Sequence, residues 1–324
     1  MRSPTIKEVA ARSGVGIGTV SRVLNDSPQI SESTRQKVMK AIEELHYVPN
    51  VAGKRLSQSR SNVIAVVVPV INHPFFAKLV EEIELAADQK GYSLLVASSQ
   101  HRIEKEQEIL HRLAQKQADG AIFVTHYEHQ ENDFKNLAIV TIDRHLGNDI
   151  PIVSSNNYEA TKQGVRYLIE KGCHKIAFLG TRATQSSEVT LREKAYREVM
   201  EENGLESFVI NKDVEHGQEK VLVDELLANR DHIDGIFVSG CILANTLFNR
   251  LKALHIKVPE ELQIVSYDGD FSISKLENIT TLEQPIKEMA EKCVELLIKI
   301  MENKNDYEKV NILDCRFVKG DTTK

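Results

Sequence analysis

The chain has 324 residues and a formal net charge of −6, with 41 Lys and Arg against 47 Asp and Glu. Its longest near-apolar run, Val63–Ile71, is interrupted by Pro69 and falls short of the ~20 residues of a membrane-spanning helix; Met1-Arg2-Ser3-Pro4 leads into Lys7 and Glu8 with no apolar leader core. Cys173, Cys241, Cys293 and Cys315 have neither CxxC nor metal-ligand spacing, so no disulfide framework, metal or cofactor is expected, and a cytoplasmic protein with reduced thiols is the default.

Charge is unevenly spread. Residues 1–60 hold ten basic and five acidic residues, a surplus of +5, whereas the other 264 hold 31 and 42, a surplus of −11. A small basic unit on an acidic body suggests a nucleic-acid-binding head. Within it, Thr5-Ile6-Lys7-Glu8 reads as a capping box, opening a helix that buries Ile6, Val9 and Ala10. Ser13-Gly14-Val15-Gly16 breaks it. A second short helix is predicted over Ile17–Leu24, with Val20, Val23 and Leu24 inward, and a third over Glu32–Leu45 behind the N-cap Ser31, with Val38, Ala41, Ile42 and Leu45 closing the core. Helix, glycine-containing turn and helix is the helix-turn-helix pattern.

Thr19-Val20-Ser21-Arg22-Val23-Leu24-Asn25, then Ser31, Thr34-Arg35, Val38, Ile42 and Tyr47-Val48-Pro49-Asn50 resemble the head of the LacI–GalR family of bacterial repressors. The resemblance implies that the second helix enters the major groove. Ile17, Gly18 and Arg22 would then read bases, Arg22 with two donors for a guanine edge. Thr5, Thr19, Ser21, Asn25 and Ser31 become candidate phosphate contacts, and Gly16 replaces the family's usual hydroxyl residue. A hinge helix is implied from Asn50, its N-cap, to Leu56, an apolar wedge for the minor groove. Gly53 stands there in place of the usual Ala, which costs about 1 kcal/mol of helix propensity. The implied boundaries are head 1–49, hinge and linker 50–62, and body 63–324.

Across the body, strands and helices alternate. Strands are expected at Val63–Val68, Tyr92–Ala97, Gly120–Val124 and Ile139–Ile142, with helices at Phe75–Lys90 and Glu104–Gln115. After Asn156 the pattern restarts, with helices at Tyr158–Lys171, Leu191–Asn203, Val221–Ala228 and Ala244–Leu254 and strands at Lys175–Leu179, Gly235–Val238 and Leu262–Ser266. Such alternation predicts parallel sheets flanked by helices, in two lobes. His73-Pro74-Phe75-Phe76-Ala77, Asp143-Arg144, Val258-Pro259-Glu260, Ser266-Tyr267-Asp268 and Thr280-Thr281-Leu282-Glu283-Gln284-Pro285 are similar to the body of the same family, which is related to periplasmic sugar-binding proteins. The fold class implied is a small all-α head plus two Rossmann-like α/β lobes: the first about 63–157 plus 285–305, the second about 158–284 plus 306–324. The chain would cross between lobes three times, with Pro285–Met301 returning to the first and a last strand near Ile312–Val318 in the second.

Ligands of open α/β sheets bind at the carboxyl ends of the strands, where Phe75, Phe76, His126, Asp143 and Asp268 fall. Arg192 opens a helix of the second lobe, and Ser239 lies where the family often has a polar pair. Phe75 and Phe76 are either a platform for a sugar ring or plain core, Asp268 either a ligand contact or a turn former, and His126 either cleft or solvent loop. Asp and Arg can hold sugar hydroxyls through charge-assisted bonds. Departures at Asn156, Ala195, Gly240 and Gly269 predict an effector that is bulkier or held differently. No GxSxG, HExxH or P-loop is present, which argues against an enzyme.

The resemblance therefore implies a homodimer on a pseudo-palindromic operator, with heads about one turn (~34 Å) apart. Its affinity would be set by a sugar or phosphosugar between the lobes. A phosphocarrier protein or a non-sugar effector is the alternative.

Overall fold

Thr5 opens the first helix, α1 (Ile6–Ser13), as its sequence predicts: Glu8 N donates to Thr5 Oγ1, and Thr5 N donates to Glu8 Oε2 at 2.6 Å. Gly14 ends α1 at φ 70°, in the left-handed region where a Cβ is penalised. Helix α2 (Ile17–Leu24) follows Gly16, and α3 (Glu32–Leu45) starts at Ser31, whose hydroxyl accepts from Thr34 N. The small core consists of Val9, Ala10, Val20, Val23, Val38, Ala41 and Tyr47, with Leu24, Ile42 and Leu45 half-buried around it. Arg35 braces the α2–α3 connection by donating to Asp26 Oδ1 at 2.6 Å and to Ser27 O at 3.2 Å.

The computed structural model describes residues 4–47, 61–183, 185–214, 217–268 and 278–324. They divide into one unit within residues 1–60 and a second spanning Ser61–Lys324. Asn50, Gly53 and Leu56 lie outside the described residues.

The second unit contains two six-stranded sheets. In the first, β1 (Val63–Val68), β2 (Ser93–Ser98), β3 (Gly120–Phe123), β4 (Ile139–Ile142), β5 (Ile152–Ser155) and β11 (Val310–Leu313) are all parallel, in the order β11-β5-β4-β3-β1-β2. In the second, β6 (Ile176–Thr181), β7 (Phe208–Lys212), β8 (Gly235–Val238), β9 (Gln263–Tyr267) and β10 (Thr280–Glu283) are parallel. Strand β12 (Arg316–Val318) closes one edge antiparallel to β10, giving β12-β10-β9-β8-β6-β7. Central strands such as β1, VIAVVV, are buried on both faces and therefore read as continuous apolar runs. Helices cover those faces: α4 (Pro74–Asp88), α5 (Ile103–Ala114) and α10 (Ile286–Met301) on the first sheet, α6 (Asn157–Glu170), α7 (Thr190–Glu202), α8 (Lys220–Ala228) and α9 (Cys241–Ala253) on the second. Leu79 and Ile83 of α4 and Met289, Val294 and Leu297 of α10 share one core with β1 and β3.

The structure departs from the sequence expectation in three places. Strands β5, β7 and β10 were not expected as strands. The stretch 306–324 does not lie wholly in the second lobe: Val310–Leu313 pairs with β5 in the first sheet, and only Arg316–Val318 joins the second. The linker ends earlier than residue 62, because Asp119 fastens Ser61 and Asn62 to the body. Asp119 Oδ1 accepts from Ser61 N and Oγ at 2.7 and 2.9 Å, and Oδ2 from Asn62 N at 2.8 Å. The three interlobe crossings are joined by side chains. Asn156 donates to Asp314 Oδ1 at 2.8 Å and accepts from Cys315 N at 2.9 Å, and Ser155 Oγ donates to Gln284 Oε1 at 2.7 Å.

Candidate functional site

In the head, packing α2 on Val20 and Val23 turns its other side outward. Ile17, Gly18 and Arg22 are exposed, and Ile17 keeps 45 % of its surface accessible although it is apolar. Nothing lies within 4 Å of where a Gly18 Cβ would be, so the backbone there is open to close approach. Among the described residues the Arg22 guanidinium forms no hydrogen bond or ion pair, while its carbonyl accepts from Ser27 N at 3.0 Å. Thr19 and Ser21 are half-buried on the same helix, and Asn25 is exposed at its C-cap. Thr5 and Ser31 are engaged as caps of α1 and α3, so a phosphate near them would meet first-turn N–H groups as well as a hydroxyl.

In the body, a cavity of about 580 Å³ lies between the two sheets at the carboxyl ends of their strands. Phe75, Phe76, His126, Asp143, Arg192, Ser239 and Asp268, which come from distant parts of the chain, all line it. The first turn of α4 brings in Phe75 and Phe76, which touch edge to face at 5.6 Å between centroids. Both are also part of the first-lobe core.

Arg192 organises the floor. It is 4 % exposed. Its Nε donates to Asn157 Oδ1 and its Nη1 to Ser239 O, both at 2.6 Å, and its guanidinium lies 3.6 Å from the centroid of the Tyr267 ring. Tyr267 in turn shares hydrogen bonds with Ser155 Oγ at 2.9 Å and Cys315 Sγ at 3.1 Å. Asp143 and Asp268 flank this group and line the cleft, and both have positive φ, 57° and 65°. Burial raises the pKa of each. Ser154 and the positive charge of Arg192 oppose the rise at Asp143; Arg192 and a hydrogen bond from Gln284 oppose it at Asp268. The arrangement offers two carboxylates, a guanidinium and an amide beside an apolar face, a set suited to a polyhydroxylated ring.

One side of the cleft is bridged. His145 N donates to Ser186 O and Glu188 N to Asp143 O, at 3.0 and 2.9 Å, while His145 Nε2 and Glu188 Oε1 lie 2.6 Å apart. Arg144, 2 % exposed, donates to Thr125 O and across the lobes to Ser186 Oγ. Beneath it Glu106, wholly buried, receives Thr125 Oγ1 and meets His129 Nε2, each at 2.6 Å.

The sequence reading did not select Arg144, Tyr267, Gln284, His73 or His101 as site residues. His101 follows β2, so the strand-end rule that selected Asp143 would also have found it. His101 and His126 rings are 5.5 Å apart, and His73 and His126 both pack on Phe76, at 4.8 and 6.2 Å. His126 opens into the cleft, yet the surrounding walls, then the charges of His101, Arg144 and His73, push its imidazole down to about 4.

Residues 5–50 match the model for bacterial regulatory proteins of the lacI family, and residues 165–323 match a periplasmic binding protein-like domain. The ribose operon repressor of Halalkalibacterium halodurans is 33 % identical over 93 % of this chain and 91 % of its own. The chain belongs to the lacI family. It is therefore a DNA-binding transcriptional regulator rather than an enzyme. Among solved structures, a periplasmic binding protein/LacI transcriptional regulator from Alkaliphilus metalliredigens complexed with D-xylulofuranose is 28 % identical. It aligns with a TM-score of 0.74 over 82 % of this chain and all of that one. The lac repressor dimer bound to operator and the anti-inducer ONPF shares the fold, with a TM-score of 0.85 over 99 % of each chain at 23 % identity. Among the described residues, no helix of this lacI-family regulator is long and apolar enough to cross a membrane.

Proposed function

We propose that the cleft binds a sugar or phosphosugar effector and that its occupancy controls the affinity of the head for a pseudo-palindromic operator, on which the protein acts as a homodimeric repressor of carbohydrate-utilisation genes. The observation that carries this is the cleft itself. Asp143, Arg192 and Asp268 converge beside Phe75 and Phe76 in a space of about 580 Å³, within the range of small-ligand sites. Relatives named as repressors of ribose and sucrose operons, and a structural neighbour complexed with D-xylulofuranose, support the carbohydrate class. The operator-bound lac repressor dimer supports the DNA and the dimer. In this reading Phe75 and Phe76 stack on the ring, and Asp143, Arg192, Ser239, Asp268 and His126 hold its polar groups. Arg22, Ile17 and Gly18 read bases, and Thr5, Thr19, Ser21, Asn25 and Ser31 position the head on phosphates. Asn50, Gly53 and Leu56, which the family resemblance assigns to DNA contact, lie outside the described residues. The protein works in the cytoplasm, at the nucleoid when bound.

An operator gel shift run against a panel of sugars and their phosphates tests this. A sugar that changes operator affinity, through a coupling of about 1–3 kcal/mol, is the expected result. Operator binding that ignores every sugar but answers a phosphocarrier protein overturns it.

A further inference from the structure

The polar lining of the cleft differs from end to end. Around Arg192 one guanidinium faces two carboxylates, Asp143 and Asp268, whose protonated forms burial favours, with Gln284 and Asn157 as neutral partners. At the first-lobe end, three imidazoles and a guanidinium gather instead: His73, His101, His126 and Arg144 all line the same space. His73 is also the N-cap of α4, whose N-terminus has no side-chain cap, so the positive end of a 15-residue helix adds its field there. Glu128, 3.3 Å from Arg144, and the buried Glu106 beneath it offset part of this charge, and Arg182, Asp213 and Glu219 line the cleft from the second lobe.

Resting on the carbohydrate reading above, we propose that the effector is an anionic sugar, a phosphomonoester, and that its phosphate seats at the first-lobe end of the cleft against His73, His101, His126 and Arg144. Phosphate supplies the acceptors that ring N–H groups and a guanidinium bond with charge assistance. Burial, then the charges of His101, Arg144 and His73, holds the His126 imidazole down at about 4 in the free protein, and a dianion beside it offsets those charges. The sign follows. The anion favours the protonated imidazole, so binding takes up a proton and strengthens as pH falls. A neutral sugar leaves this end of the cleft hydrated and gains nothing from acid.

Sulfate, whose charge is fixed between pH 5.5 and 8, is the probe, titrated calorimetrically into the full-length protein. The expected result is binding that tightens roughly three- to tenfold per pH unit on acidification, up to one coupled proton. His126→Gln should abolish that pH dependence and His101→Gln should weaken binding, with both variants melting as the wild type does. No sulfate binding, or binding indifferent to both substitutions, overturns the proposal. Competition separates it from the carbohydrate reading. If a neutral sugar releases operator while its phosphate does not, the phosphate seat falls and the carbohydrate reading stands. If sulfate binds as described but no sugar, phosphorylated or not, displaces it or alters operator binding, the carbohydrate reading falls and the anion seat stands.

Discussion

Replacing Arg192 by methionine tests the idea that one buried guanidinium holds the cleft floor together. Two charge-assisted hydrogen bonds at 2.6 Å are lost, to Asn157 Oδ1 and Ser239 O; at about 1.5–3 kcal/mol each they are worth roughly 3–6 kcal/mol. The methionine stem keeps part of the packing on Tyr267, so a loss of about 3–5 kcal/mol is expected at pH 8, in line with breaking a buried charged cluster. The loss should depend on pH. Asp143 and Asp268 already have folded pKa values raised by burial, and Arg192 opposes the rise; without it both climb further. A carboxyl with a raised folded pKa favours the fold when protonated and costs stability as pH rises through that value. The penalty of the substitution should therefore shrink as pH falls from 8 toward 5. Urea unfolding of the ligand-free proteins, followed by circular dichroism at the two pH values, measures both quantities. A loss below about 1 kcal/mol at pH 8, or one of equal size at both pH values, refutes the reasoning.

Arg22→Ala should cost about 1–3 kcal/mol of discrimination between operator and random DNA, leaving weak, salt-sensitive binding. A competition gel shift checks this, and an unchanged ratio removes Arg22 from the groove. Asp268→Ala should leave operator affinity intact while abolishing the effector response in the same assay; a normal response takes Asp268 out of the site. Gly164→Ala should destabilise the second lobe by about 1–3 kcal/mol through overpacking, because the new Cβ would sit 2.8 Å from Phe237 Cε2 and 3.1 Å from Leu282 Cδ1. Thermal melts read this directly, and an unchanged midpoint would mean that the ring and strand β10 yield freely.

The helices of the head were legible because each carries its own local signals. Thr5 with Glu8, Gly14 and Ser31 mark ends through side-chain and backbone chemistry that needs no tertiary context. Strands β5, β7 and β10 were not. IVSS, FVINK and TTLE are too short for a period, and the polar look of TTLE misleads. Thr280 and Thr281 are buried because their hydroxyls meet Thr323 Oγ1 and Ser266 O, partners that sequence does not reveal. The seven cleft residues followed from the strand-end rule together with family resemblance. Tyr267 and Ser155 escaped because their role is relational. One comes from each sheet, and only the folded lobes bring them to 2.9 Å.

The placement of β11 and β12 has a consequence for synthesis on the ribosome. The first lobe begins with residue 63 but finishes its sheet only with Val310–Leu313, and the second waits for Arg316–Val318. Neither lobe can complete while the chain is still growing through residue 300. The head, whose core closes by Tyr47, has all its parts long before. A nascent chain would thus carry a finished DNA-binding unit ahead of an unfinished sensor. The late strands set the time during which the open edges of both sheets, β5 and β10, need protection from aggregation.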